Sequence, residues 1–578
     1  MPKKFKKWFL WISLTLVSTT TLISTLVSCA QQNKISKSDL FDFSEQEPTQ
    51  WEKEIIDSAK NKNPTFHINE WNASFAYLQE FNAIIGELEA KKDNLNSNDF
   101  SKAKTNKIIT FIPYVEFDSN KYLGNQIISD NTRVNWPSII SQYTNNKQHD
   151  LMAFTNDLLI YSNLKQTPKY QVDNKDLKED FVRNNNWLNE NIDYHLSIFK
   201  DIKYDFYLSH WLYQYWIDQN RLDVVLKLIY HANKIILYPD GNAELYYVAN
   251  YYAQAVKNLI SKDPHLSKQK IDDHLHNFIN MKSFKEAKNY FSSKLNNNKD
   301  WLTVFVLNKL FKIFAIDESW VDCDYFKFSK EFMPKSYKIR TNYANVLNSL
   351  NLSLTAKNQF KKNFEYAFRM HNKTFLDFIV DGKQYYDPKK QNLIFMGSSL
   401  FKDNVLKDRK IVKQELQQWA LKIKNKYPNA NYFFKLHPIY NQNQVLDYIQ
   451  EITNGIFKPI ILDAKTPWEN ILLRDYLSIK NNKAVLFKDK NTPNFSLWGF
   501  QPTTSALLTS FDFIRNNTKL TNDEVQSIIG FDNFLVGKNY DILRRDYEPN
   551  KDYTNQNLQI LERTYGQLIF AKILKKFY

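Results

Sequence analysis

The stretch DIKYDFYLSHWLYQYWIDQNRLDVVLKLIYHANKIILYPDGNAELYYVANYYAQAVKNLI (201–260) decides the fold class. DIKYDFYLSH (201–210) reads as a strand, and WLYQYWIDQNRLDVVLKLIYH as one helix. KIILY (234–238) is a second strand. In the helix NAELYYVANYYAQAVKNLI, Leu245, Val248, Tyr252, Val256 and Leu259 recur on one face. Strands alternating with helices of this length imply parallel strands joined by right-handed crossovers.

Working outward, NKIITFIPYV (106–115) is the first strand-like run upstream. Before it, Trp71, Phe75, Leu78, Phe81 and Ile84 mark a helix, so residues 30–105 read as a tether and a bracing helix. Residues 262–385 look mostly helical. A second alternating block follows: NLIFMG (392–397), the helix KIVKQELQQWALKIKNK, NYFFKLH (431–437), PIIL (459–462) and AVLF (484–487). The expected class is α/β, with two Rossmann-like lobes facing a central cleft and extra helices. The expected division is a leader at 1–29, a first lobe at 106–318, a second at 319–560, and a helix at 561–578 packing back on the first lobe.

The leader places four lysines in MPKKFKKW, then the uncharged run FLWISLTLVSTTTLISTLV, and ends with LVSC at Cys29. A charged start, an apolar run and a small-residue cleavage site make a secretory signal. Leu-Val-Ser-Cys resembles the bacterial lipobox, which implies a diacylated Cys29 holding the protein at the outer face of the cell membrane. The competing reading is an uncleaved transmembrane anchor. Cys323 is the only other cysteine, so a lipidated Cys29 leaves no internal disulfide. The formal charge of +15 falls to about +11 once the leader lysines are discounted. Such a charge would suit anionic lipid, nucleic acid or a nucleotide substrate. Lysines are spread along the chain without an arginine-rich or zinc-finger pattern, so the favoured reading is a solvated basic surface with no nucleic-acid partner.

In parallel α/β sheets ligands bind beyond the carboxyl ends of strands. Asp240 and Gly241 follow KIILY, giving either an Asp-Gly turn or a carboxylate able to accept a proton. Gly397, Ser398 and Ser399 end NLIFMG and offer amides and hydroxyls to a phosphate or sugar. His437 and Pro438 end NYFFKLHP. Thr466, Pro467 and Glu469 read as a capping box, with Thr466 as N-cap. Thr503, Thr504 and Ser505 precede an apolar segment, as an N-cap or anion site. DDHLH (272–276) lacks the HExxH or Cys/His spacing of a zinc site and reads as a solvated helical face. GxGxxG, a P-loop lysine and GxSxG are all missing.

Taken in order, LYPDGNAELY, IFMGSSLFKDN, YFFKLHP, PWENI and PTTSALL resemble the motifs of the bacterial sialyltransferases of glycosyltransferase family 80, over roughly 106–578. That resemblance implies a GT-B fold and metal-independent, inverting transfer of sialic acid from CMP-sialic acid to a sugar hydroxyl. It implies Asp240 as general base and His437 as the group stabilising the departing phosphate. Glu469 would hold the ribose, Thr504 and Ser505 the phosphate, and His210 the acceptor. Pro239 stands where the family has an acidic residue, Leu436 where it has a glycine, and Phe401 where it often has an acceptor-stacking Trp. The rival expectation is a surface lipoprotein that keeps the fold and binds glycans as a non-catalytic adhesin.

Overall fold

The computed structural model describes residues 47–61, 63–68, 74–96, 108–112, 158–162, 193, 196, 202–239, 244–316, 332, 336–340, 343–397, 409–436, 442–500, 504–530 and 533–535. The expected leader with Cys29, Cys323 and the expected C-terminal helix lie outside the described residues.

Two large sheets organise the chain. The first is wholly parallel: β1 (Thr65–Ile68), β2 (Ile108–Ile112), β3 (Leu158–Ser162), β4 (Tyr204–Ser209), β5 (Ala232–Tyr238), β6 (Phe311–Ala315) and β7 (Ser336–Lys338) lie in the order β3-β2-β1-β4-β5-β6-β7. The chain therefore winds outward in one direction from β1 and in the other from β4. The switch point between those two strands is where a doubly wound sheet opens a crevice.

Placing Thr65–Ile68 at the centre of this sheet revises the expected tether at 30–105. TFHI is short, and its histidine breaks the apolar run. Its polar side chains are buried against other polar groups. Thr65 Oγ1 donates to Glu87 at 2.6 Å, and His67 stacks on Tyr207 with ring centres 4.6 Å apart. The helix Gln50–Lys60 is tied to the same face by Ser58 Oγ donating to Asp205 at 2.8 Å and by Lys234 on Glu54 at 2.8 Å. The next helix, Ser74–Asn96, buries Leu78, Phe81 and Ile84 as its spacing predicts.

The 211–231 segment is two helices, His210–Asp218 and Leu222–His231, where one continuous helix is expected. Asn220 takes a left-handed conformation (φ 57°) between them, a turn asparagine tolerates well. Strand β6 also interrupts the region expected to be mostly helical.

The second sheet comprises β8 (Ile379–Asp381), β9 (Asn392–Met396), β10 (Asn431–Lys435), β11 (Pro459–Leu462), β14 (Phe495–Phe500) and β15 (Phe534–Leu535). Their order is β15-β14-β9-β10-β11-β8, parallel except for the edge pair β11–β8. AVLF is not a strand of this sheet. Its Phe487 begins a small hairpin of β12 (Phe487–Asp489) and β13 (Thr492–Pro493). Buried Asp475 fixes that segment by accepting the amides of Val485 and Leu486 at 2.7 and 2.8 Å. The strand beside β9 is instead FSLWGF (495–500).

A continuous apolar core runs from the first sheet into one face of the second. Phe81 packs edge-on against Phe360, Phe364 and Phe368, and Phe375 continues onto Phe433 of β10. The other face of the second sheet carries a separate core, centred on Phe395, Phe434, Phe457 and Trp498.

Candidate functional site

The second sheet winds outward through β9, β10 and β11 on one side and through β14 and β15 on the other. Its switch point therefore falls between β9 and β14. The candidate residues at 397, 436–438, 469 and 504–505 all follow, in sequence, the carboxyl ends of these adjacent strands.

Glycine is needed on both sides of this point. A Cβ on Gly499 of β14, which has φ 150°, would lie 2.5 Å from the Met396 carbonyl oxygen. Gly397 donates its amide to the Lys435 carbonyl at 3.0 Å, and a Cβ on it would meet Leu436 Cδ2 at 2.7 Å. Leu436 is buried in the outer core, so its side chain fills the space that Gly397 leaves.

Lys435, at the end of β10, is the residue the motif reading passed over. Its ammonium is buried and donates at 3.0 Å to the carbonyls of both Leu436 and Ala464. It thereby ties the tip of β10 to the turn after β11. A charged residue closing an apolar strand, as in NYFFK, is the sequence signal that could have marked it.

The capping box at Thr466 does not form. Thr466 Oγ1 donates to Asp463 Oδ2 at 2.5 Å, and no side chain caps the helix that follows. Pro467 takes the N-cap position of the helix Trp468–Leu477. Asp463 organises this turn, accepting the Lys465 amide at 3.0 Å as well. Glu469, released from capping, is half-buried in the first turn. Burial pushes its carboxyl above the ordinary range, opposed by its own backbone amide and by the nearby Lys435 ammonium. Beside it, Trp468 Nε1 donates to Ser510 Oγ at 2.7 Å. This bond locks the helix to its neighbour Thr504–Asn517, whose first residue is one of the expected phosphate ligands.

In the first sheet, Ser209 ends β4 and caps the helix His210–Asp218, its hydroxyl accepting the Leu212 amide at 3.2 Å. His210 is 1 % exposed and its Nε2 lies 3.0 Å from the Leu237 carbonyl oxygen. The ring braces the tips of β4 and β5 from inside. Burial lowers its pKa to about 4, against the pull of the Leu237 and Phe314 carbonyls. Folded His210 thus titrates near 4 and its unfolded counterpart near 6.5, so the unfolded chain takes up the extra proton between those values. Stability from this group is complete above pH 6.5 and lost as pH falls toward 4, a difference of about 3 kcal/mol. Urea midpoints measured across that range are expected to fall for the wild type and to flatten for His210→Gln. His231, also lowered to about 4, adds a slope of the same sign.

Asp240, Ser398, Ser399, Phe401, His437 and Pro438 lie outside the described residues, and so do the side chains of Thr504 and Ser505. His274 Nδ1 lies 2.7 Å from the Tyr290 hydroxyl, while Asp272 accepts from Asn308 and Asp273 from Gln269. Among the described residues no group of three or more His, Cys, Asp or Glu could hold a metal ion, and no helix is long and apolar enough to cross a membrane.

No protein-family model matches this chain, and neither does any curated protein. Several solved structures are similar, among them a bacterial sialyltransferase. It is the 2,6-sialyltransferase of Vibrionaceae Photobacterium sp. JT-ISH-224, in a ternary complex with the donor product CMP and the acceptor lactose. The match covers 77 % of this chain and 69 % of that one, at 13 % identity and a TM-score of 0.38. That score is too low to establish a shared fold.

Proposed function

We propose that the chain is a glycosyltransferase that takes a sugar from a nucleotide donor bound at the switch point of the second sheet. The observation that carries this reading is the convergence there of motifs far apart in sequence: Gly397 after β9, Lys435 closing β10, Glu469 after β11, and the helix starting at Thr504 after β14. A helix N-terminus suits a phosphate and a carboxylate suits the ribose hydroxyls, while Lys435 holds the strand tips that carry them.

The donor that best fits the family resemblance is CMP-sialic acid. Inverting transfer then asks for a base on the acceptor hydroxyl and charge stabilisation at the leaving phosphate. Asp240 takes the first role. His437 takes the second, with Thr504 and Ser505 bonding the phosphate and Glu469 the ribose. Chelators are expected to leave this transfer unchanged. The anchor is the lipidated Cys29, at the outer membrane face.

The deciding experiment is thermal unfolding with CMP, UMP and GMP. CMP is expected to raise the melting temperature in proportion to the logarithm of its excess over Kd. Glu469→Gln should cut the apparent CMP affinity about tenfold by removing a charge-assisted hydrogen bond. Absence of any shift at millimolar CMP would favour the glycan-binding lipoprotein instead.

A further inference from the structure

The net charge of the chain is concentrated at one end of the second sheet, the end away from the proposed donor site. Five segments gather where its strands begin: 383–391, 422–430, 454–458, 478–494 and 515–521. Together they hold thirteen Lys or Arg against Asp387 and Asp489, a net of +11. That equals the whole net charge left when the four leader lysines are discounted, so the remainder of the chain sums to zero. The connections leaving the carboxyl ends of β9, β10 and β11, residues 397–408, 436–441 and 463–467, also sum to zero.

The segments are laced into one surface. Asn392 Nδ2 donates to the Val485 carbonyl at 2.8 Å, Asn431 Nδ2 to the Asp387 carbonyl at 2.8 Å, and the Lys519 amide to Asn491 Oδ1 at 3.0 Å. Lys389, Lys390, Lys458, Lys480, Lys483 and Lys488 are exposed on it. Several cations rest on rings: Lys424 lies 4.4 Å from the centre of Tyr432, and Lys458 lies 5.9 Å from that of Tyr385. Lys390 pairs with Asp387 at 3.6 Å. Asp523 and Glu524 open the helix after the last segment, and Glu524 is engaged by the Thr521 amide at 2.7 Å.

We infer that this face docks on an anionic lipid surface. Twelve of its thirteen cations are lysines, point charges suited to a fluid layer of headgroups, whereas reading a phosphate backbone favours the bidentate arginine fork. Tyr385, 42 % exposed among these lysines, supplies a ring of the kind that settles at a membrane interface. Docked this way, the strand carboxyl ends point away from the membrane.

The test is flotation of the full chain with phosphatidylcholine vesicles, with and without phosphatidylglycerol. The anionic lipid should raise the bound fraction about tenfold, and high salt should remove the gain. Charge reversal by Lys389→Glu, Lys390→Glu, Lys483→Glu and Lys488→Glu should abolish the gain while leaving binding to the neutral vesicles unchanged. Because the leader can itself bind lipid, a matched control reverses four lysines exposed beside the first sheet, Lys262, Lys282, Lys285 and Lys294. That control should keep the gain. Loss in both variants, or in neither, would overturn the inference. So would a face variant that loses binding to duplex DNA but not to anionic vesicles, which would assign the surface to nucleic acid.

Discussion

Asp240→Ala is expected to lower sugar transfer about a thousandfold, the usual loss when a positioned general base is removed. Residue 240 follows the last residue of β5 by two positions, with Pro239 between them fixing the backbone angle. Strand β5 pairs with β4 next to the switch point of the first sheet, where His210 braces its tip from beneath. Doubly wound folds bind their ligands beyond the carboxyl ends of the strands near the switch point, and in sequence Asp240 follows such a strand. Release of CMP from CMP-sialic acid, followed over a panel of soluble sugar acceptors, measures the loss. Thermal midpoints should stay within error of the wild type. Asp240→Asn preserves the shape of the side chain but cannot accept the proton, so it should be as inactive as the alanine variant. A wild-type rate in either would remove Asp240 from the mechanism while leaving the nucleotide site to be judged by CMP binding.

Much of the fold is legible in the sequence because buried parallel strands are written as unbroken apolar runs. KIILY, NLIFM and PIIL are examples, each followed in sequence by a helix. TFHI escapes that reading because His67 and Thr65 face a buried polar network, so burial and hydropathy part company along the strand. FSLWGF escapes it because a glycine and a serine stand in the run. Gly499 is required by the close approach of Met396, which no local pattern expresses. AVLF misleads in the opposite sense: its apolar residues are buried beside a helix, with their amides taken by Asp475 rather than by a neighbouring strand. In the candidate site, Glu469 looked fully explained by capping. The structure instead starts the helix one residue later, with Pro467 as N-cap and no side-chain cap, so Glu469 does not close a capping box.

The pairing of Gly397 with Leu436 makes the second large prediction. Leu436 occupies the position where the resembled family has glycine, directly before His437. In this chain the leucine side chain packs away into the outer core and is 1 % exposed. Leu436→Ala should therefore cost about 2–5 kcal/mol, as other buried leucine truncations do. Gly397→Ala places a methyl 2.7 Å from Leu436 Cδ2 and 3.2 Å from its Cα, and that crowding should cost about 1–3 kcal/mol. The two losses should not add. In the double variant the new methyl enters space the leucine has vacated, so denaturant midpoints should reveal a favourable coupling of about 1–2 kcal/mol. Full additivity would mean that the two tips do not meet. CMP affinity separates packing from recognition in the same proteins. If Leu436 serves only the core, the double variant binds CMP as the wild type does despite its lower stability. If the leucine also shapes the approach to the nucleotide, affinity changes in Leu436→Ala and is not recovered when Gly397 is replaced.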